Sequence, residues 1–82
     1  MIVRIQLFAR ARDLAGSDML TVDVPERATV ADLRRGLGEI RPALATFLAR
    51  CAIAVDEDFA TDDCPVSAES SVAVIPPVSG GT

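Results

Sequence analysis

Eighty-two residues carrying a net charge of −4 make one domain and leave no room for a second core. A chain this short buries only roughly 60–65% of its unfolded surface, which excludes a large internal substrate cavity. Half of the residues are nevertheless apolar, so part of that area is expected at the surface, where an apolar patch marks a partner site.

Val3, Ile5 and Leu7 alternate with Arg4 and Gln6. That period of two predicts a strand over 2–8. Residues 9–15 leave it in a short helical turn that Gly16 stops. Leu20, Val22 and Val24 alternate with Thr21 and Asp23, a second strand ending at Pro25. The link between the two is too short for a crossover helix, so antiparallel pairing is expected.

Thr29 reads as a helix N-cap whose hydroxyl can accept from the Asp32 amide, with Asp32 suited to the positive end of the helix dipole. Val30, Leu33, Leu37 and Ile40 then share one face. Gly36 and Gly38 weaken this helix by about 1 kcal/mol each against alanine, so packing must hold it. Pro42 ends it, and Leu44, Phe47 and Leu48 predict a further short helix at 42–49.

Cys51 to Val55 reads as a third strand and Phe59-Ala60 as a very short fourth. Residues 61–65 and 67–70 carry turn chemistry. Val72 to Ile75 is a last strand, closed by Pro76-Pro77. The order ββαβ(β)β places one main helix between a hairpin and later strands. A sheet with that helix packed on one face satisfies it, the first and last strands lying side by side.

All eight basic residues are arginine. No basic stripe with interleaved aromatics appears, which argues against nucleic acid as a partner. Without lysine, no ε-amine can accept an isopeptide bond. With no histidine, neither a Ser-His-Asp nor a Cys-His arrangement is possible. Cys51 and Cys64 form no metal-ligand cluster and read as free thiols in a reducing compartment. The acidic runs 56–58 and 62–63 lack the spacing of a calcium loop and read as solvated turns, so no metal site is expected. Gly36-Leu37-Gly38 lacks the preceding strand of a phosphate loop. The N-terminal stretch, broken by Arg4 and Gln6, is no signal peptide, and no segment approaches the ~20 apolar residues of a membrane span. The chain reads as cytoplasmic.

What remains is the end of the chain. A strand stopping at Pro76-Pro77 and running into Val78-Ser79-Gly80-Gly81 puts a nearly side-chain-free segment outside the body. Fully extended, Val78 to Gly81 reaches on the order of 13 Å. Residues 1–77 are thus expected to form the domain and 78–82 a flexible tail that can thread a narrow tunnel.

Phe8-Ala9-Arg10-Ala11-Arg12-Asp13-Leu14-Ala15-Gly16 and Val72-Ala73-Val74-Ile75-Pro76-Pro77-Val78-Ser79-Gly80-Gly81 resemble the opening and the close of the molybdopterin synthase small-subunit family. Thr29-Val30-Ala31-Asp32-Leu33 resembles its helix start. The wider family includes the sulfur carrier of thiamine synthesis, and the opening motif favours the molybdenum branch. The resemblance implies an α+β, ubiquitin-like β-grasp fold and a sulfur carrier that is not itself an enzyme. An E1-like adenylating enzyme, using ATP and magnesium, would activate the carboxyl of Gly81, and a sulfur donor would convert it to a thiocarboxylate. The tail would enter the large subunit of molybdopterin synthase and deliver sulfur to a pterin precursor. Phe8, Phe59 and Ile75 match positions facing that subunit, although Phe8 also suits a core role. No cofactor is expected to bind stably.

Two departures stand out. Val55-Asp56 replaces the family's common Val-Asn. Thr82 locks the Gly81 carboxyl in a peptide bond, which implies removal by a protease, a remnant, or a variant that carries no sulfur. A carrier for thiamine, cysteine or a tungsten cofactor is the nearest alternative. A ubiquitin-like modifier joined through Gly81, or an adaptor using its apolar face, are the others.

Overall fold

A computed structural model describes residues 1–77. Its elements in chain order are β1 (Ile2–Leu7), α1 (Ala9–Ala15), β2 (Met19–Asp23), α2 (Val30–Ile40), α3 (Pro42–Leu48), β3 (Ala52–Val55), β4 (Asp58–Ala60) and β5 (Val72–Ile75). The strands form one mixed sheet in the order β2-β1-β5-β3-β4. β1 is antiparallel to β2 and parallel to β5, so the first and last strands are neighbours as expected. This is the α+β arrangement of the β-grasp, with α2 as its main helix.

One face of the sheet is covered. Val3, Ile5, Leu7, Val22, Ile53, Val72 and Val74 are each at most 3% exposed and join Leu33, Leu37 and Leu44 of the helices in one core. The register explains the sharing: Ile5 faces Val72 across one interface, and Val74 faces both Leu7 and Ile53. Side chains opposite one another project to the same side, so the period-two pattern read along single strands becomes one apolar plane.

Local chemistry sets the helices. Gly16, in the left-handed region at φ 75°, ends α1, and its N–H donates to the Arg12 carbonyl. At the start of α2 the Thr29 N–H donates to Asp32 Oδ2 at 2.9 Å, and the Thr29 hydroxyl donates to the same oxygen at 3.2 Å. These bonds to the charged carboxylate lower the Asp32 pKa, and the Arg35 guanidinium lowers it further. Arg41 ends α2, and Pro42 occupies the first turn of α3, where its missing N–H costs nothing. Ile40 does not join the apolar face. It is 41% exposed, because α3 turns back immediately and Leu44 and Leu48 fill the core beside Leu37.

Two glycines let these layers approach. A Cβ on Gly36 would sit 2.5 Å from Val22 Cγ1, so only glycine lets α2 lie this close to β2. A Cβ on Gly38 would meet Ala45 Cβ of α3 at 3.2 Å. Among the described residues, no helix is long and apolar enough to cross a membrane.

Candidate functional site

The opposite face of the sheet carries no helix. Alternation puts Arg4, Gln6 and Phe8 there from β1 and its continuation, Met19 and Thr21 from β2, Ala73 and Ile75 from β5, and Ala52 and Ala54 from β3. The register aligns Met19 with Gln6, Gln6 with Ala73, Ala73 with Ala54, and Ala54 with Phe59. One row therefore crosses all five strands. The next row toward the chain end pairs Ala52 with Ile75, and Phe8 follows Leu7 out of β1 beside it.

The three partner residues expected from the sequence thus share one face. Phe59 is 76% exposed, Phe8 is 43% exposed, and Ile75 is half-buried. Phe8 is not a core residue. It precedes α1 in extended conformation, φ −126° and ψ 153°, which continues the β1 alternation and turns its ring away from the helices. Between the aromatic residues lies a floor of small side chains: Ala52, Ala54 and Ala73.

Sequence reasoning missed Met19, which is 41% exposed on the same row. Its signal was present, since Met19 is in phase with the polar residues Thr21 and Asp23. The alanines had no such signal, because their role depends on register and on neighbours distant in sequence.

β5 ends at Ile75, between the end of β1 and the start of β3, and Pro76-Pro77 follows. The chain therefore leaves the domain at the Phe8–Ile75 end of the open face. Val78, Ser79, Gly80, Gly81 and Thr82 lie outside the described residues.

Neither thiol is built as a nucleophile. Cys51 is 5% exposed, burial raises its pKa, and its Sγ donates to the Phe47 carbonyl at 3.4 Å. Both cysteines are free, and Cys64 is half-buried beside Pro65. Among the described residues, no group of three or more His, Cys, Asp or Glu side chains could hold a metal ion. Asp56, Glu57, Asp58, Asp62 and Asp63 are all exposed turn residues.

Residues 5–81 match the ThiS family. The chain belongs to this family. Among proteins of known role, it is 35% identical over 81 residues to the molybdopterin synthase sulfur carrier subunit of Caenorhabditis briggsae, covering 96% of both chains. It is 34% identical over 79 residues to the protein of the same name from Arabidopsis thaliana, covering 96% of this chain and 82% of that one. Among solved structures, small archaeal modifier protein 1 (SAMP1) from Haloferax volcanii superposes with a TM-score of 0.90 at 29% identity, over 99% of this chain and 100% of that one. The match spans the opening strand, the helix start and the closing strand together.

Proposed function

We propose that this chain is the sulfur carrier subunit of a molybdopterin synthase, bearing sulfur as a thiocarboxylate on Gly81. The observation that carries the reading is the geometry of the exit. An unpartnered face with exposed aromatic side chains adjoins the point where β5 releases the chain, in a family whose relatives are named as carrier subunits.

The division of labour follows from the chemistry. A carboxylate is a poor electrophile, so an adenylating partner exchanges its oxygen for AMP at the expense of ATP with magnesium. A nucleophilic sulfur donor then attacks the acyl carbon; the carbon–sulfur bond forms as the bond to AMP breaks. The open face docks on the large subunit and holds the tail in that partner's tunnel, which converts sulfur delivery into an effectively intramolecular step. Residues 1–77 act as the docking body and 78–82 as the arm. The acid-base groups belong to the partners, so this chain supplies position and cargo without being an enzyme, binds no cofactor stably, and works in the cytoplasm. Cys51 and Cys64 are dispensable for transfer.

Thr82 decides the test. Incubating the full chain with its activating enzyme, ATP, magnesium and sulfide should leave Thr82 without thiocarboxylate. A chain ending at Gly81 should be converted, with intact mass showing one oxygen exchanged for sulfur. A full-length chain that keeps Thr82 and still delivers sulfur would refute proteolytic maturation. The likeness to a small archaeal modifier protein supports a second reading, in which Gly81 is joined to amines of other proteins. Recovery of the native chain covalently bound to proteins, with no thiocarboxylate form, would favour it.

A further inference from the structure

Both readings make the chain end an activated acyl group, and the inference below rests on that feature. Such a group is attacked by whatever amine it meets, and at working concentration a common encounter is another copy of the same chain. Amide formation needs a nitrogen with a free lone pair: the nitrogen bonds to the acyl carbon, loses a proton, and the leaving group departs.

This chain offers itself almost no such nitrogen. It contains no lysine, and its eight basic side chains are all arginine. Seven of those arginines are exposed and Arg34 is half-buried, so the surface keeps its cations. A guanidinium stays protonated in proteins and has no lone pair to give. Near neutrality an α-amine is in general the best remaining nitrogen nucleophile, since fewer α-amines than ε-amines are protonated.

The Met1 amine is built into the sheet. It donates to the Val24 carbonyl at 2.6 Å, while the Val24 N–H donates to the Met1 carbonyl at 2.9 Å, completing the last rung between β1 and β2. Asp23 Oδ1 lies 3.4 Å from the same nitrogen and Glu26 Oε2 3.9 Å. The Met1 side chain is only 9% exposed and packs against the core. Attack would require breaking that rung and turning the nitrogen outward. Thiols do not substitute for it: Cys51 is buried, and acylation of Cys64 would give an exchangeable thioester and no amide.

We propose that this chain is a one-way acyl donor, which cannot accept its own activated end at nitrogen and so does not link into chains of itself. The use of arginine throughout keeps the charge while removing the acceptor.

The test has two arms. In the first, the full chain is treated at neutral pH with a water-soluble N-hydroxysuccinimide ester of acetic acid, and acetylation is read by intact mass and peptide mapping. Met1 should react at least about tenfold more slowly in the folded chain than in urea, as expected when reaction requires local opening. Equal rates would overturn the proposal. In the second arm, chain ending at Gly81 is activated with its adenylating enzyme and ATP. Wild type should give no reduction-resistant chain–chain adduct. Arg35→Lys, which places one ε-amine on exposed α2 surface, should give one mapping to that lysine. A wild-type adduct at Met1, or an Arg35→Lys chain that is acetylated by the ester yet forms no adduct, would equally overturn it. If no adenylate forms at all, the carrier reading fails while the ester arm still decides Met1.

Discussion

Along β1, Val3, Ile5 and Leu7 are at most 1% exposed, whereas Ile2 and Phe8 on the same stretch of chain are 53% and 43% exposed. The two sets differ only in phase, and the helices lie on one side. Side chains under the helices set stability, while those on the open side stay solvated and leave area for a partner. Because the pleat separates the sets by strict alternation, a change on one side need not disturb the other. This separation lets a domain of 82 residues keep an exposed apolar face without giving up its core.

The largest effects should come from one residue on each side. Ile5→Ala removes a fully buried side chain and should cost about 2–5 kcal/mol in urea unfolding. At a temperature where that variant remains folded, its affinity for the large subunit should be unchanged. Phe59→Asp should do the reverse, leaving the urea midpoint in place and weakening the complex on the order of 100-fold by calorimetry, as for an aromatic anchor. If Phe59→Asp unfolds the monomer, the two faces are not independent.

The glycines of α2 sharpen the covered side. Alanine at Gly36 gains helix propensity but meets Val22 Cγ1 at 2.5 Å, so it should destabilise by about 1–3 kcal/mol through overpacking. Alanine at Gly38 meets Ala45 Cβ at 3.2 Å, a contact that a small shift of α3 relieves. It should lie within about 1 kcal/mol of wild type, the propensity gain offsetting the crowding. Thermal unfolding of the two variants side by side distinguishes them, and equal melting temperatures would mean that α2 is free to lift from β2.

The period-two and helical patterns made the elements and the covered face legible in the sequence, because those signals are local. Gly16 and Thr29 marked helix ends through chemistry confined to a few residues. Ile40 failed as a core residue because its burial depends on where α3 turns back, which no helical period encodes. Phe8 stayed ambiguous for a related reason: at the boundary between β1 and α1 it belongs to either period, and only its extended backbone placed it on the open side. The alanine floor required the pairing of β3 with β5. The tail was visible only as composition following a proline pair.

A smaller effect concerns the cap of the helix that covers the sheet. Asp32 accepts both Thr29 bonds, and they hold its pKa below the ordinary 3.8. A carboxylate with a depressed folded value adds stability above its unfolded pKa and loses it as pH falls through the folded one. The contribution should be complete at neutrality and fade as pH drops through 3.8 and below. Asp32→Asn should be less stable at pH 7 and should flatten the acid side of the melting-temperature profile. An unchanged acid limb would assign that slope to other carboxylates.

The smallest expected effect lies where the two sides are told apart, in the turn joining β3 to β4. Asp56 and Glu57 have φ values of 52° and 74° and connect the paired residues Val55 and Asp58. Two successive left-handed residues in a two-residue loop match the turn that favours Asn-Gly in hairpins. Asp56 tolerates its place because its N–H donates to the Ser71 carbonyl at 2.8 Å and its Oδ1 accepts the Ser71 N–H at 2.9 Å. Glu57 is exposed, and its Cβ makes the left-handed conformation costly. Glu57→Gly should therefore stabilise by about 0.5–1 kcal/mol, the relief of strain exceeding the added freedom of the unfolded chain. Glu57→Val, β-branched at the same φ, should destabilise. The turn also fixes register, and a slip of one residue would carry Phe59 from the open side to the covered one. Affinity for the large subunit should then follow stability in the valine variant and stay at the wild-type value in the glycine variant. If Glu57→Gly weakens the complex while raising the urea midpoint, Glu57 itself belongs to the partner surface, and the docking face extends beyond Phe59 to the tip of the hairpin.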